Sequence, residues 1–106
     1  MDNEYWLNEI ESKALHVLKE KFAPVKVLLF GSRAKGNFNK DSDIDLIIVS
    51  ETFKDVPMIR RMSVVLKELK FPKHIDVLCY TPEEFERIQN TSAIVKDALL
   101  NSVAIV

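Results

Sequence analysis

The chain has 106 residues, with 15 Lys plus Arg against 16 Asp plus Glu and 47% apolar residues. That length suits one domain spanning residues 1–106, and the apolar share suits a real core rather than a disordered chain. The near balance of charge excludes a global basic field, so general nucleic-acid binding is not expected.

A single cysteine, Cys79, leaves no internal disulfide framework. No apolar run approaches the ~20 residues of a membrane span. The acidic start, Met-Asp-Asn-Glu-Tyr-Trp, lacks the basic n-region of a signal peptide. A cytoplasmic location and a reducing compartment are the expectation.

Residues 3–22 have helical periodicity. Leu7, Ile10, Ala14, Val17 and Leu18 form one stripe, with Trp6 and Phe22 at its edges and Pro24 closing the helix. Val25–Phe30 is a short apolar run that ends at Gly31 and predicts an internal strand. Residues 31–42 read as a loop or a short helical turn. Asp43–Ser50 predicts the second strand, with two acids, Asp43 and Asp45, at its entrance.

A connector follows over 51–56. Pro57 suits a first helical turn, with Asp55 or a neighbour as cap. Ile59, Met62, Val65, Leu66 and Leu69 keep helical spacing to about Lys70, and Pro72 ends that helix. The Met58 and Met62 pair reads as core filler. His74–Tyr80 predicts a third strand. Thr81-Pro82-Glu83-Glu84 is a capping box, with Thr81 as N-cap and Glu84 reaching back, so a helix should run to about Ile88. Ser92–Leu100 predicts another helix. Val103–Val106 reads as either a short edge strand or a frayed end.

The expected fold class is therefore α/β (α+β), a small mixed sheet with helices packed on it. The link between the first two strands is too short for a helical crossover, which predicts an antiparallel pair; the helix before the third strand permits a parallel one.

The chemistry concentrates where both glycines lie, Gly31 and Gly36. Alternation along a strand points Asp43 and Asp45 the same way, with Cα atoms ~7 Å apart. Two carboxylates so placed can converge on hard cations such as magnesium. Asp76, one residue into the third strand, reaches the same sheet edge if that strand lies parallel to the second. Three acids at one edge match a two-metal site for phosphoryl or nucleotidyl transfer. A lone strand acid is as often exposed or salt-bridged; the case for Asp76 is the company it keeps.

Gly31 lets the backbone approach a ligand, Ser32 offers a hydroxyl, and Arg33 carries forked donors suited to phosphate. Lys35 reads equally as a phosphate neighbour or a solvated residue. Two other motifs fail. A calcium loop starting at Asp41 needs Gly and Glu where Leu46 and Thr52 stand, and a phosphate loop on Gly31 and Gly36 needs Lys-Ser/Thr where Asn37-Phe38 stand. His16 and His74 lack a metal-ligand spacing and read as surface residues. Cys79 reads as an inert packing residue.

Gly31-Ser32-Arg33-Ala34-x-Gly36, then Ser42-Asp43-Ile44-Asp45-Leu46, then Asp76 on a later strand, resembles the minimal nucleotidyltransferase family of the DNA polymerase beta-like superfamily. The likeness spans about residues 25–80 and implies a nucleotidyltransferase fold. It implies that Asp43 and Asp45 hold two magnesium ions, that Asp76 completes one site and helps activate the acceptor hydroxyl, and that Gly31, Ser32 and Arg33 meet the triphosphate of ATP or another nucleoside triphosphate. Transfer of a nucleoside monophosphate, AMP above all, would then release pyrophosphate. Minimal members are commonly paired with a helical HEPN-type toxin. The resemblance thus implies an antitoxin that modifies a partner-protein hydroxyl, or one that neutralises its partner by binding alone. A small-molecule transferase of the aminoglycoside-modifying type is a third reading, set back by the lack of an acceptor domain.

Overall fold

The computed structural model describes residues 10–31, 44–70, 75–100 and 102–106, and of Ile10 and Glu11 the backbone alone. Among these, the chain opens with one wide π-helical turn, Ile10–Ala14, that continues into α1, Leu15–Phe22. Ala14, Leu15, Leu18 and Phe22 are buried and Val17 is half-buried, close to the expected stripe; Leu7 and Trp6 lie outside the described residues. Ala23 ends the helix in the left-handed region at φ 43°, ahead of Pro24.

Four strands form one sheet in the order β3-β2-β1-β4: β1 Lys26–Phe30, β2 Ile44–Val49, β3 Ile75–Tyr80 and β4 Val103–Ala104. β1 and β2 are antiparallel, pairing Phe30 with Asp45 and Lys26 with Val49. β2 and β3 are parallel, pairing Asp45 with Asp76 and Val49 with Tyr80. Val103–Ala104 is an edge strand, antiparallel to β1. Ile105 extends the attachment by donating its N–H to the Val27 carbonyl at 2.8 Å.

The sheet separates two apolar layers. Val27, Leu29, Ile44, Leu46, Ile48, Ile75, Val77 and Cys79 face α1 and α2, Met58–Leu69. Leu28, Ile47, Val49 and Tyr80 face α3, Pro82–Thr91, and α4, Ala93–Leu100, through Phe85 and Val95. Period-2 alternation makes each strand serve both layers, so the inner strands read as unbroken apolar runs. Ser50, fully buried, ties the end of β2 to α1: its hydroxyl donates to the Phe22 carbonyl that ends α1 and accepts from the Thr52 N–H at 3.1 Å.

Three expectations need correction. The connector contains a 3-10 helix, Glu51–Asp55, whose Phe53 is fully buried and packs on Phe22 at 5.6 Å between ring centroids. Pro57 is the N-cap of α2, just outside its first turn, and no side chain caps that end, so Asp55 does not.

The third concerns the inward face of α2. It is formed by Arg61, Val65 and Leu69, while Ile59 is 91%, Met58 52% and Met62 40% exposed. The two methionines are therefore not core filler. Hydropathy scores Arg as polar, yet Arg61 is only 4% exposed because each of its three nitrogens finds an acceptor. Nε donates to the Val56 carbonyl at 2.8 Å, one terminal nitrogen to the Cys79 carbonyl at 3.2 Å, and the fork to Glu84 at 2.6 and 3.2 Å.

Glu84 serves twice. It also accepts the Thr81 N–H at 2.9 Å, while Thr81 Oγ1 accepts the Glu84 N–H at 3.2 Å, which is the expected capping box.

Candidate active site

β1 ends at Phe30 because Gly31, at φ +76°, turns the chain out of the sheet. The turn lies directly on Asp45: a Cβ built at Gly31 would overlap the Asp45 Oδ2 atom. Glycine is required here twice over, for its backbone angle and for the room it leaves a carboxylate.

Asp45 stands on the sheet face of Ile47 and Val49, and Asp76 on the face of Leu78 and Tyr80, which is the same α3–α4 side. Their Cα atoms are register partners in the parallel ladder. Both residues are half-buried. Phe30, opposite Asp45 on β1, completes a row across one sheet edge: Asp76, Asp45, Phe30. Ser32, Arg33, Lys35, Gly36, Asp43 and His74 lie outside the described residues. The structure thus brings together Gly31, Asp45 and Asp76 of the six residues singled out for chemistry.

The donor set suits a hard cation. Carboxylate oxygens from adjacent strands, on one face and beside a glycine turn, are what magnesium takes, with waters and phosphate oxygens filling the rest of its shell. No cluster of three His, Cys, Asp or Glu occurs among the described residues, of which the two acids are one short.

Other titratable groups are accounted for by structure. Burial pushes the Cys79 thiol up to about 12, with nearby Arg61 opposing weakly, so it stays protonated and inert. His16 is exposed and lies 3.6 Å from Glu20, one helical turn on.

The sequence matches the nucleotidyltransferase domain family over residues 11–104. The chain belongs to that family. This nucleotidyltransferase is 35% identical over 86 residues to a protein of Haemophilus influenzae named "Probable protein adenylyltransferase MntA", a match that covers 76% of this chain and 75% of that one. A solved "putative nucleotidyltransferase from Sulfolobus solfataricus" superposes with a TM-score of 0.61 at 21% identity, over 98% of this chain and 86% of that one. A chain from a crystal structure of a toxin-antitoxin with AMP-PNP superposes at 0.57 with 16% identity, over 89% of this chain and 70% of that one. At such identities the two structures establish a shared fold alone. The nucleotidyltransferase reading made from the Gly-Ser and Asp-x-Asp motifs is thereby shown at the level of the family, and the chain is an enzyme of that class. No described helix is long and apolar enough to cross a membrane.

Sequence reasoning missed two features, one at the far end of β3 and one beside the site. Arg61 is one; its signal was available only as an Arg within an otherwise apolar helical stripe. The other is the wall that α4 raises beside Gly31, where Ile94, Asp97 and Ala98 line a cleft with Phe30.

Proposed function

We propose that this nucleotidyltransferase moves AMP from ATP, with magnesium, to a hydroxyl of a partner protein, as the antitoxin of a pair whose toxin is a helical HEPN-type protein. The observation that carries the chemistry is the register of Asp45 against Asp76 on one sheet face, with Gly31 pressed on the first. The name carried by the Haemophilus influenzae relative and the toxin-antitoxin neighbour support the choice of acceptor class.

Asp43, Asp45 and Asp76 would hold the divalent ions, which neutralise phosphate charge and lower the barrier at the α-phosphorus. Asp76, on the outermost of the three strands at this edge, takes the proton of the acceptor hydroxyl. The hydroxyl oxygen then bonds to the α-phosphorus, the α–β bridging bond breaks, and pyrophosphate leaves with that electron pair. Gly31, having no side chain, lets the triphosphate approach the backbone; Ser32 and Arg33 donate to its oxygens. No covalent enzyme intermediate is required, since catalysis here is in-line placement and charge neutralisation.

A second reading, neutralisation of the partner by binding alone, is favoured by one observation. Met58, Ile59 and Met62 are exposed beside the outer edge of β3, which pairs with no other described strand.

One experiment separates the two. The purified chain is incubated with labelled ATP, magnesium and the protein encoded next to it. Label on that protein, lost in Asp45→Asn, is the expected result. Complex formation and growth rescue that survive in the double variant Asp45→Asn, Asp76→Asn, with no label in any preparation, would replace the first reading with the second.

A further inference from the structure

The cleft beside Gly31 has a volume of about 190 Å³ and is lined by Phe30, Gly31, Ile94, Asp97 and Ala98. It adjoins the row of Asp76, Asp45 and Phe30 at the Phe30 end. The sheet order therefore sets the two sides of the site apart. Asp76 stands on β3, Asp45 between, and the cleft at the end of β1 on the other side of Asp45. An acceptor whose proton goes to Asp76 enters from the β3 side, which leaves the β1 side to the nucleotide.

The chemistry of the lining says which part of the nucleotide. The Asp97 carboxylate repels a triphosphate, and the three apolar side chains offer it no donor. An apolar slot between Phe30 and Ile94 suits a flat ring, and an exposed carboxylate suits a donor on its edge. The volume falls below the ~300 Å³ of a site for a whole small molecule, so one moiety fits.

We propose that this cleft receives the nucleoside half of the triphosphate, with Phe30 and Ile94 as its apolar walls and Asp97 accepting a hydrogen bond from a nucleoside donor. The proposal rests on the reading of the chain as an ATP-using transferase. The donor is either the 6-amino group of the base or a ribose hydroxyl, and these are separable.

Binding of MgATP, MgITP, 2′-deoxy-MgATP and magnesium tripolyphosphate is measured by calorimetry on wild type, Ile94→Asp and Asp97→Ala. Ile94 is 78% exposed and Asp97 is exposed, so both variants keep the fold. Ile94→Asp should weaken MgATP about tenfold, the scale of losing one aliphatic contact surface, and leave tripolyphosphate unchanged. Asp97→Ala should erase the preference for ATP over ITP if the base is the donor, or over 2′-deoxy-ATP if the ribose is. Unchanged MgATP affinity in Ile94→Asp, or both preferences intact in Asp97→Ala, overturns the assignment while leaving the transferase reading standing. A wild type that binds neither MgATP nor tripolyphosphate removes that reading and the cleft's role with it.

Discussion

Gly31 and Asp45 share a space that only one side chain can occupy. The positive φ of Gly31 brings its α-carbon onto the Asp45 carboxylate, where a β-carbon would overlap Oδ2. Gly31→Ala should therefore fail in two ways at once. A left-handed Ala costs about 1–2 kcal/mol, and the carboxylate must move off its position opposite Asp76. The expected outcome is a modest fall in melting temperature together with nucleotide transfer as low as in Asp45→Asn. Full activity in Gly31→Ala would show that the Asp45 carboxylate need not sit where the turn now holds it.

Asp45→Asn and Asp76→Asn keep side-chain shape and remove the anionic oxygen. Supporting residues around metal ligands typically contribute 10- to 100-fold, so loss of a ligand itself should lower transfer by more than about a hundredfold. Chelation with EDTA should abolish transfer in wild type, and excess magnesium should restore it. The two variants should differ in one respect. Elevated pH should recover part of the rate in Asp76→Asn, where solvent can take the acceptor proton, and none in Asp45→Asn.

Arg61 and Glu84 join α2 to α3 across the end of β3. Arg61→Met should destabilise the protein by about 2–3 kcal/mol, because the carbonyls of Val56 and Cys79 lose their donor and Glu84 its partner. Arg61→Lys should recover less than half, since an ammonium cannot meet three acceptors along a planar fork. Urea midpoints of the three proteins test both statements.

The same pair makes stability depend on acid. The hydrogen bonds and charge of Arg61 hold the Glu84 carboxyl below its ordinary range, with the Thr81 N–H adding to the effect. A carboxylate depressed on folding contributes stability that is complete above its unfolded pKa, about 4.3, and is lost as pH falls through the lower folded value. Glu84→Gln should be less stable than wild type at pH 7. The gap should close below about pH 4, as read from urea midpoints across that range.

Cys79 should resist alkylation. Its thiol is buried and pushed up to about 12, so thiolate is scarce at neutral and mildly alkaline pH. Iodoacetamide labelling at pH 8 should proceed only as fast as the chain unfolds, and immediately in denaturant. Rapid labelling of folded protein would place Cys79 outside the core.

Local chemistry was enough to read much of this fold. Val25–Phe30, Leu46–Val49 and Ile75–Tyr80 are runs whose length and Val/Ile content leave little but buried strands. Thr81-Pro82-Glu83-Glu84 names its own helix start, because capping needs only neighbours within one turn. The scarcity of glycine marked Gly31 as a place where the backbone does something special, though not that Asp45 is the group it makes room for.

The misreadings share one cause. Periodicity assigns a side chain to the core by its polarity, and Arg61 enters the core by satisfying its donors on three other segments. Once Arg61 occupies the inward face of α2, Ile59 and Met58 are turned to solvent, which no count of apolar spacing along that helix foretells.

What the amino-acid order determined alone was the main strands and helices, the helix start at Thr81 and the residue types able to bind metal and phosphate. Each depends on interactions within a few residues. Tertiary structure decided that Asp76 lies opposite Asp45 and on its face, because a parallel register between strands thirty residues apart is set by packing on α2 rather than by either strand. It also decided that α4 stands over Phe30 and Gly31. That cleft is made from two segments far apart in the chain, whose contact depends on which face of the sheet the last helices cover.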